Sequence, residues 1–141
     1  MGGLLVLYKY RWQGLLIVGF AALTILLSDQ ASNLVKHFVH RLRPCAVDES
    51  VRLLVAECSK TFSFTSNHAA NHFALAVFLS LVFRQYRWLA VVLVIWAGFI
   101  SLSQVYVGLH YPADIAGGAL LGSMMAYLCF LVFDRLNKRF F

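Results

Sequence analysis

Charged residues are scarce in this sequence. They make up 13% of its 141 residues, whereas hydrophobic residues make up 61%, and the mean hydropathy is +0.76. This composition excludes a soluble globular domain of the ordinary kind and indicates a membrane protein. Only three cysteines are present and none forms a Cys-x2-Cys pair, so structural zinc is not expected. Internal repeats and low-complexity segments are also lacking, and we predict one membrane domain over residues 1–141.

Long apolar runs are what the sequence has instead of charge. They extend from Trp12 to Leu27, His68 to Phe83, Trp88 to Gln104 and Ile115 to Phe133. At about 1.5 Å per helical residue, each can cross or nearly cross a hydrocarbon core of about 30 Å. We therefore predict an all-α integral membrane bundle with four full transmembrane spans. The first span lacks a small-residue cleavage site, so we do not interpret it as a cleavable signal.

A short amphipathic segment follows the first span. Ala31 to Arg43 has helical periodicity and precedes Pro44, so we predict a separate short helix that ends there. On that helix Lys36, His40 and Arg43 would share one face. Seven residues correspond to about 10.5 Å of helix, which would let the two long cationic side chains meet one anion.

The spans that follow carry two further signals. Thr65 and Ser66 are good N-cap residues, so we predict that a helix begins there with free N–H groups in its first turn, where an anion would be stabilised. The last span contains Gly117, Gly118 and Gly122, which include a Gly-x3-Gly pattern that permits close helix packing.

Basic residues are distributed unevenly between the two ends of this bundle. One end receives seven basic residues and one acid: Lys9, Arg11, Arg84, Arg87, Arg135, Lys138 and Arg139, with Asp134. The other receives five of each: Lys36, Arg41, Arg43, Arg52 and Lys60, with Asp29, Asp48, Glu49, Glu57 and Asp114. The first end is therefore predicted to be cytoplasmic. The pI of about 9.6 reflects this topology, and no nucleic-acid partner is expected.

Three polar stretches then share the non-cytoplasmic end: Lys36 to Pro44, Thr65 to His68, and Ser103 to Asp114. They contain what phosphoryl transfer requires, namely a nucleophile, a proton donor and positive charge. His110 could attack phosphorus while Asp114, four residues on, holds its other ring nitrogen, and His68 could protonate the leaving oxygen. The alternatives are a metal site of His68, His72 and His110, and a role for Lys36 and Arg43 as interfacial cations.

These stretches resemble the motifs of the type 2 phosphatidic acid phosphatase family, membrane relatives of the vanadium haloperoxidases. The first family motif, Lys-x6-Arg-Pro, is matched in full by Lys36, Arg43 and Pro44. The second, Pro-Ser-Gly-His, corresponds to Thr65, Ser66, Asn67 and His68. The third, Ser-Arg-x5-His-x3-Asp, corresponds to Ser103, Gln104, His110 and Asp114, with glutamine in place of arginine.

The resemblance implies a metal-independent phosphatase without a cofactor, acting on a lipid phosphate or diphosphate within membrane lipids. His110 would form a phosphohistidine, Asp114 would orient it, and His68 would be the acid. The implied phosphate ligands are Lys36, Arg43, Ser66, Asn67 and Gln104. Asn67 would contribute a backbone N–H. The neutral Gln104 would be a weaker contact, with the missing charge supplied by another cation such as Arg41 or Lys60.

The resemblance also leaves alternatives open. Members usually have six membrane helices, so an N-terminal span is expected to be missing here. The substrate could belong to the undecaprenyl diphosphate, phosphatidylglycerol phosphate, phosphatidic acid or lipid A phosphate class. A phosphotransferase and a non-catalytic lipid-phosphate binding or transport protein remain alternative functions.

The cysteines divide between a loop and a span. Cys45 and Cys58 lie in the same non-cytoplasmic loop, where a disulfide is one of two open alternatives, whereas Cys129 is predicted to pack within the last span. We expect a multi-pass cell (inner) membrane protein whose active site lies at the non-cytoplasmic face.

Overall fold

All helices and strands assigned in the part of the chain that the structure, a computed structural model, describes are α-helices. That part comprises residues 2–48 and 50–140, with side chains for 11–48 and 50–138. It forms α1 (Gly2–Val39), α2 (Pro44–Val47), α3 (Asn67–Val82), α4 (Arg87–Tyr106) and α5 (Pro112–Phe140), without a strand in those ranges. The all-α prediction is confirmed. Glu49 and the side chains of Lys9 and Arg139, which entered the charge distribution above, lie outside the described part.

Three of these helices, α1, α4 and α5, are long and apolar enough to cross a membrane. The prediction of four full spans was wrong for the run from His68 to Phe83, because that run forms α3, which has only 16 residues, or about 24 Å of helix. The other three long helices all pack against α3. Protein therefore surrounds much of α3.

The prediction of a separate short helix over Ala31 to Arg43 was also wrong. No glycine or proline interrupts the chain after the first apolar run, and α1 continues to Val39. Its polar residues Ser28 and Ser32 are fully buried against the bundle, so they do not end the helix. The helix stops because His40 adopts a left-handed conformation with φ of 52°. Pro44 then begins α2 instead of ending a helix.

Close packing of α3 against α5 brings two of the motifs together. A Cβ atom on Gly122 would lie 2.0 Å from the Ala70 carbonyl oxygen, and one on Gly118 would lie 2.6 Å from that of Ser66. The predicted close helix packing is therefore confirmed, since only glycine fits at these positions. At the top of this contact the Ser66 N–H donates to the Asp114 carbonyl oxygen at 3.0 Å.

The opposite end of the bundle is an apolar core. Phe78, Ala126, Cys129 and Phe133 are buried there, and Cys129 packs as predicted. The Phe133 ring meets Phe20 and Phe78 edge-on, with ring centroids 5.6 and 5.8 Å apart. The helices are thus joined by ring packing at this end, while their polar residues gather at the other.

Candidate active site

The three polar stretches meet around one cavity of about 430 Å³. Its wall comes from the end of α1, the loop before α3, the first turn of α3 and the turn between α4 and α5. Five of the eight predicted site residues line it: Lys36, Arg43, Asn67, His68 and His110. The two imidazoles expected to flank a phosphorus atom therefore face one space.

His110 is held in a defined orientation. Its Nε2 lies 3.1 Å from Arg43 Nη1, and its Nδ1 lies 3.4 Å from Asp114 Oδ2 without a well-formed hydrogen bond. Because a guanidinium only donates, Nε2 acts as an acceptor and we assign the ring proton to Nδ1. Burial lowers the pKa of His110 below 6.5, against the opposing effect of Asp114, and Arg43 lowers it further. The ring is therefore neutral near pH 7, with its Nε2 lone pair at the cavity.

Asp114 is fully buried behind this ring and is itself held by several donors. Arg41 Nη1 donates to Oδ1 at 3.0 Å, the Tyr111 N–H donates to Oδ2 at 2.8 Å, and the Ser63 hydroxyl also donates to Oδ2. A carboxylate with these partners has little freedom to rotate. It can therefore fix the orientation of the His110 ring.

Lys36 and Arg43 reach the cavity from different elements, not from one helical face as predicted. Lys36 lies in the last turn of α1, whereas Arg43 follows the helix in an extended conformation. Lys36 Nζ donates to the carbonyl oxygens of Phe62 at 2.9 Å and Thr65 at 2.5 Å. Arg43 donates to the carbonyl oxygens of Thr61 at 2.9 Å and of the residue before His110 at 3.1 Å.

These two cations are buried but lack a carboxylate contact among the described residues. Lys36 is 6% and Arg43 7% exposed, which argues against the alternative of interfacial cations in contact with lipid headgroups. The ion pair of Asp114 is with Arg41 instead. Neutral carbonyl oxygens position both cations without cancelling their charge, so positive potential remains for an anion.

The second motif is built differently from its sequence prediction. Ser66 is the N-cap of α3, as predicted, but its buried hydroxyl accepts from the Ala69 N–H at 3.4 Å and does not line the cavity. His68 is exposed at the cavity and its ring has no hydrogen-bond partner among the described residues. The N–H groups of Asn67 and His68 lie in the first helical turn, which has no intrahelical acceptors for them.

Gln104 is a predicted phosphate ligand that does not face the cavity. Its side chain contacts the Ser103 hydroxyl at 3.4 Å and does not line the cavity. Of the two cations considered as substitutes, Arg41 pairs with Asp114 and lies over the Tyr111 ring, 4.0 Å from its centroid. Lys60 lines the cavity and is exposed, and it has no ion pair in the described part of the chain.

Residues that the motifs did not indicate complete the site. Thr61 bonds to Arg43 through its hydroxyl at 2.9 Å, and Ser63 bonds to Asp114. No sequence pattern pointed to this loop segment. The alternative metal site is not formed, because no group of three or more His, Cys, Asp or Glu among the described residues is close enough to hold a metal ion.

Fold and site together define a membrane-embedded helical protein whose cavity is lined by two buried cations and a buried histidine. Within that class the family is clear. The PAP2 superfamily model matches residues 14–138, and the chain belongs to this family. The predicted resemblance is thereby confirmed.

Individual relatives carry several names. The lipid A 4'-phosphatase of Bacteroides thetaiotaomicron is 37% identical over 96% of this chain and 62% of its own length. The undecaprenyl-diphosphatase of Sulfolobus acidocaldarius is 30% identical over 89% of this chain and 57% of its own length. The chain thus spans less than two thirds of each.

A solved structure shares the fold. It is the transmembrane PAP2 type phosphatidylglycerolphosphate phosphatase from Bacillus subtilis, which aligns with 95% of this chain and 72% of its own. The TM-score is 0.65 and the identity is 23%. At that identity the likeness concerns the fold alone.

Proposed function

We propose that this protein is a membrane phosphatase that hydrolyses a lipid phosphate or diphosphate through a phosphohistidine at His110. The observation that carries the proposal is the His110 ring itself. Its Nε2 lies at the cavity beside Arg43 while Asp114 stands behind Nδ1. The names of the two relatives, both lipid phosphatases, support the same reaction class.

In the first step the phosphoryl group of the substrate enters the cavity. Arg43 Nη1 exchanges its contact with Nε2 for the phosphoryl oxygens, together with Lys36 and the first-turn N–H groups of α3. The freed Nε2 lone pair attacks phosphorus, and the bond between phosphorus and the lipid oxygen breaks. His68 donates a proton to that leaving oxygen.

In the second step water completes the hydrolysis. His68, now neutral, accepts a proton from a water molecule as the water oxygen attacks phosphorus, and the bond between phosphorus and Nε2 breaks. Throughout both steps Asp114 holds the Nδ1 proton of His110. Ser66 then contributes by capping the N-terminus of α3 beside the cavity, and Gln104 lies outside the set that would touch phosphate in this geometry.

The substrate is proposed to reach this cavity from the membrane. Helix α4 presents large apolar side chains outward, including Phe99, which is 70% exposed, as expected for contact with lipid. The phosphate would lie at the polar end while its apolar chains remain among membrane lipids between helices. This arrangement fits a lipid phosphate better than a soluble phosphate ester.

The active site is further proposed to lie at the non-cytoplasmic face of the cell (inner) membrane. Arg84, Arg87, Arg135 and Lys138 are placed by the helix directions at the end opposite His110. Cys45 and Cys58 form a disulfide in the loop at the same end as the site. Disulfides are typical of oxidising compartments, which supports that orientation.

Phosphate release from a panel of lipid phosphates tests the proposal. Wild-type protein is expected to release phosphate, while His110→Ala falls by at least about 10³-fold. Ser123→Ala is a matched control, because Ser123 lies on α5 and, among the described residues, its hydroxyl bonds only to the Ala119 carbonyl oxygen. Brief reaction with radiolabelled substrate should trap an acid-labile phosphoprotein in wild type and not in His110→Ala.

Other outcomes favour the alternative functions. Equal release by wild type and His110→Ala would refute catalysis by His110. Binding of lipid phosphate without release from either protein would favour a binding or transport protein. Recovery of the label on an acceptor other than water would identify a phosphotransferase. Vanadate, which mimics five-coordinate phosphorus, should inhibit, and a chelator should not.

A further inference from the structure

A second cavity of about 350 Å³ lies beside the cavity of His110. It is lined by Asp29, Asn67, His68, Asn71 and His72, so Asn67 and His68 belong to both walls. Its volume is in the range of small-molecule sites, which is about 300–1,000 Å³. The phosphoryl-transfer steps above use none of its other three residues.

Most of the hydrogen-bond donors around this second cavity are already engaged. Asp29 Oδ1 accepts from Asn67 Nδ2 at 2.8 Å and from Asn71 Nδ2 at 3.2 Å, and Oδ2 accepts from Asn33 Nδ2 at 3.0 Å. Among the described residues Asp29 has no ion pair with a cation.

Free acceptor capacity remains in the second cavity. Asn71 Oδ1 is buried and has no hydrogen-bond partner in the described part of the chain. A carboxylate offers about four lone-pair positions, and three of those on Asp29 are occupied. The His68 and His72 rings add sites that can accept or donate. This cavity therefore suits a ligand that carries several hydrogen-bond donors.

The position of the second cavity relates it to the substrate. On α1, Asp29 lies seven residues before Lys36. Asp29 is therefore about 10 Å closer to the bundle interior than Lys36 is. On α3, Asn71 lies one turn inward from Asn67. The part of a lipid substrate that adjoins the phosphate would occupy this space. A prenyl chain has no donors there and would leave Asn71 Oδ1 unsatisfied, whereas a sugar ring offers hydroxyl and amide donors.

We propose that the second cavity is a headgroup subsite for a sugar ring, which makes a glycolipid phosphate the preferred substrate class. The inference rests on the proposed phosphatase function. Asn67 stands where the family motif quoted above has glycine, which has no side chain to bond to Asp29. This substitution creates the shared wall, so the site that binds phosphate is joined to a polar subsite instead of an apolar groove.

Substrate selectivity tests the subsite. The measured quantity is kcat/KM for a lipid whose phosphate sits on an N-acylated glucosamine, relative to phosphatidic acid and a polyprenyl diphosphate. We expect wild type to prefer the sugar lipid by at least tenfold. Asn71→Leu should lower that ratio at least tenfold, mainly through KM for the sugar lipid. Ser80 is also on α3, and in the part of the chain that the structure describes its hydroxyl bonds only to the Ala76 carbonyl oxygen. Ser80→Ala should therefore keep the wild-type ratio.

A second measurement needs wild-type protein only, in case Asn71→Leu does not fold. N-acetylglucosamine 1-phosphate should inhibit phosphate release at a concentration at least tenfold lower than glycerol 3-phosphate. Equal inhibition by the two compounds would overturn the subsite. The subsite would also be overturned if wild-type protein cleaved phosphatidic acid or polyprenyl diphosphate as efficiently as the sugar lipid. The proposed phosphatase function would then still stand. Release from no lipid would contradict both.

Discussion

The two ends of this helix bundle are held together by different interactions. At the end that contains the cavity, Asp114 is fully buried and accepts several hydrogen bonds, and Arg43 donates to acceptors in two loops. At the other end Phe133 packs on Phe20 and Phe78 without any directional bond. The structure of the first end depends on hydrogen bonds between particular atoms, whereas that of the second depends on how well side chains fill space. Substitutions at the two ends should therefore separate activity from stability.

The largest expected effect is loss of activity from Asp114→Asn. The amide replaces the charge that holds the Nδ1 proton of His110, so the ring can adopt the tautomer in which Nε2 carries the proton. A similar change in a hydrolase triad lowers kcat by about 10⁴. We expect kcat to fall by about 10³-fold or more here, measured on whichever lipid phosphate wild type cleaves best.

The matching readout for Asp114→Asn is thermal unfolding in detergent. The variant should remain folded, because asparagine has nearly the same shape as aspartate and so keeps α3 and α5 in contact. A kcat within tenfold of wild type would show that Asp114 does not orient the nucleophile. The proposed difference between the two ends would then lose its main support.

The next effect is on stability, at the apolar end. Phe133→Ala removes a ring that three other aromatic rings contact, and it should lower the free energy of unfolding by about 2 to 4 kcal/mol. The loss comes mainly from the cavity left behind, since apolar transfer contributes little between helices in a membrane. The folded fraction should keep wild-type kcat. A fall in kcat of folded protein beyond threefold would mean that the two ends are coupled.

The pH dependence of activity tests the protonation state of His110 at the polar end. Burial lowers the pKa of His110 below 6.5, and only the neutral ring can attack phosphorus. The midpoint of the acid-side decline in activity should therefore lie below pH 6.5, and log kcat/KM should approach a slope of about one per pH unit below that midpoint. Arg43→Gln removes a positive neighbour of His110, so the pKa of His110 should rise and the decline in activity should begin at higher pH. An unshifted decline in that variant would contradict the contact.

Much of the polar end could be predicted from the sequence because its chemistry is local. His110 and Asp114 are four residues apart, across the turn that leads into α5, and Ser66 is an N-cap residue at the start of an apolar run. The Gly118 and Gly122 spacing likewise predicted close helix packing, although not which helix would be the partner. In each case the residues that act together lie close in the sequence, so their spacing alone indicates their role.

The parts that could not be predicted depend on relations across the bundle. The hydroxyl of Ser63 bonds to a carboxylate 51 residues later, and Asn67 bonds to a carboxylate 38 residues earlier. No local spacing contains such pairs. The end of α1 was missed for a related reason, because the left-handed conformation of His40 is a property of the folded loop and not of its residue type.

The smallest expected effect concerns the cation that stands in for the family arginine at Gln104. Lys60 faces the cavity, so Lys60→Ala should raise KM about fivefold and leave kcat nearly unchanged, as loss of a screened contact of about 1 kcal/mol would do. Adding Gln104→Arg should restore KM if the two positions serve one phosphate, because the new guanidinium would return the missing charge. Arg52→Ala, an exposed cation in the same loop region that does not line the cavity, is the control and should leave KM unchanged. If Lys60→Ala behaves like that control, the buried pair Lys36 and Arg43 supplies the positive charge without help, and the polar end depends on its buried atoms alone.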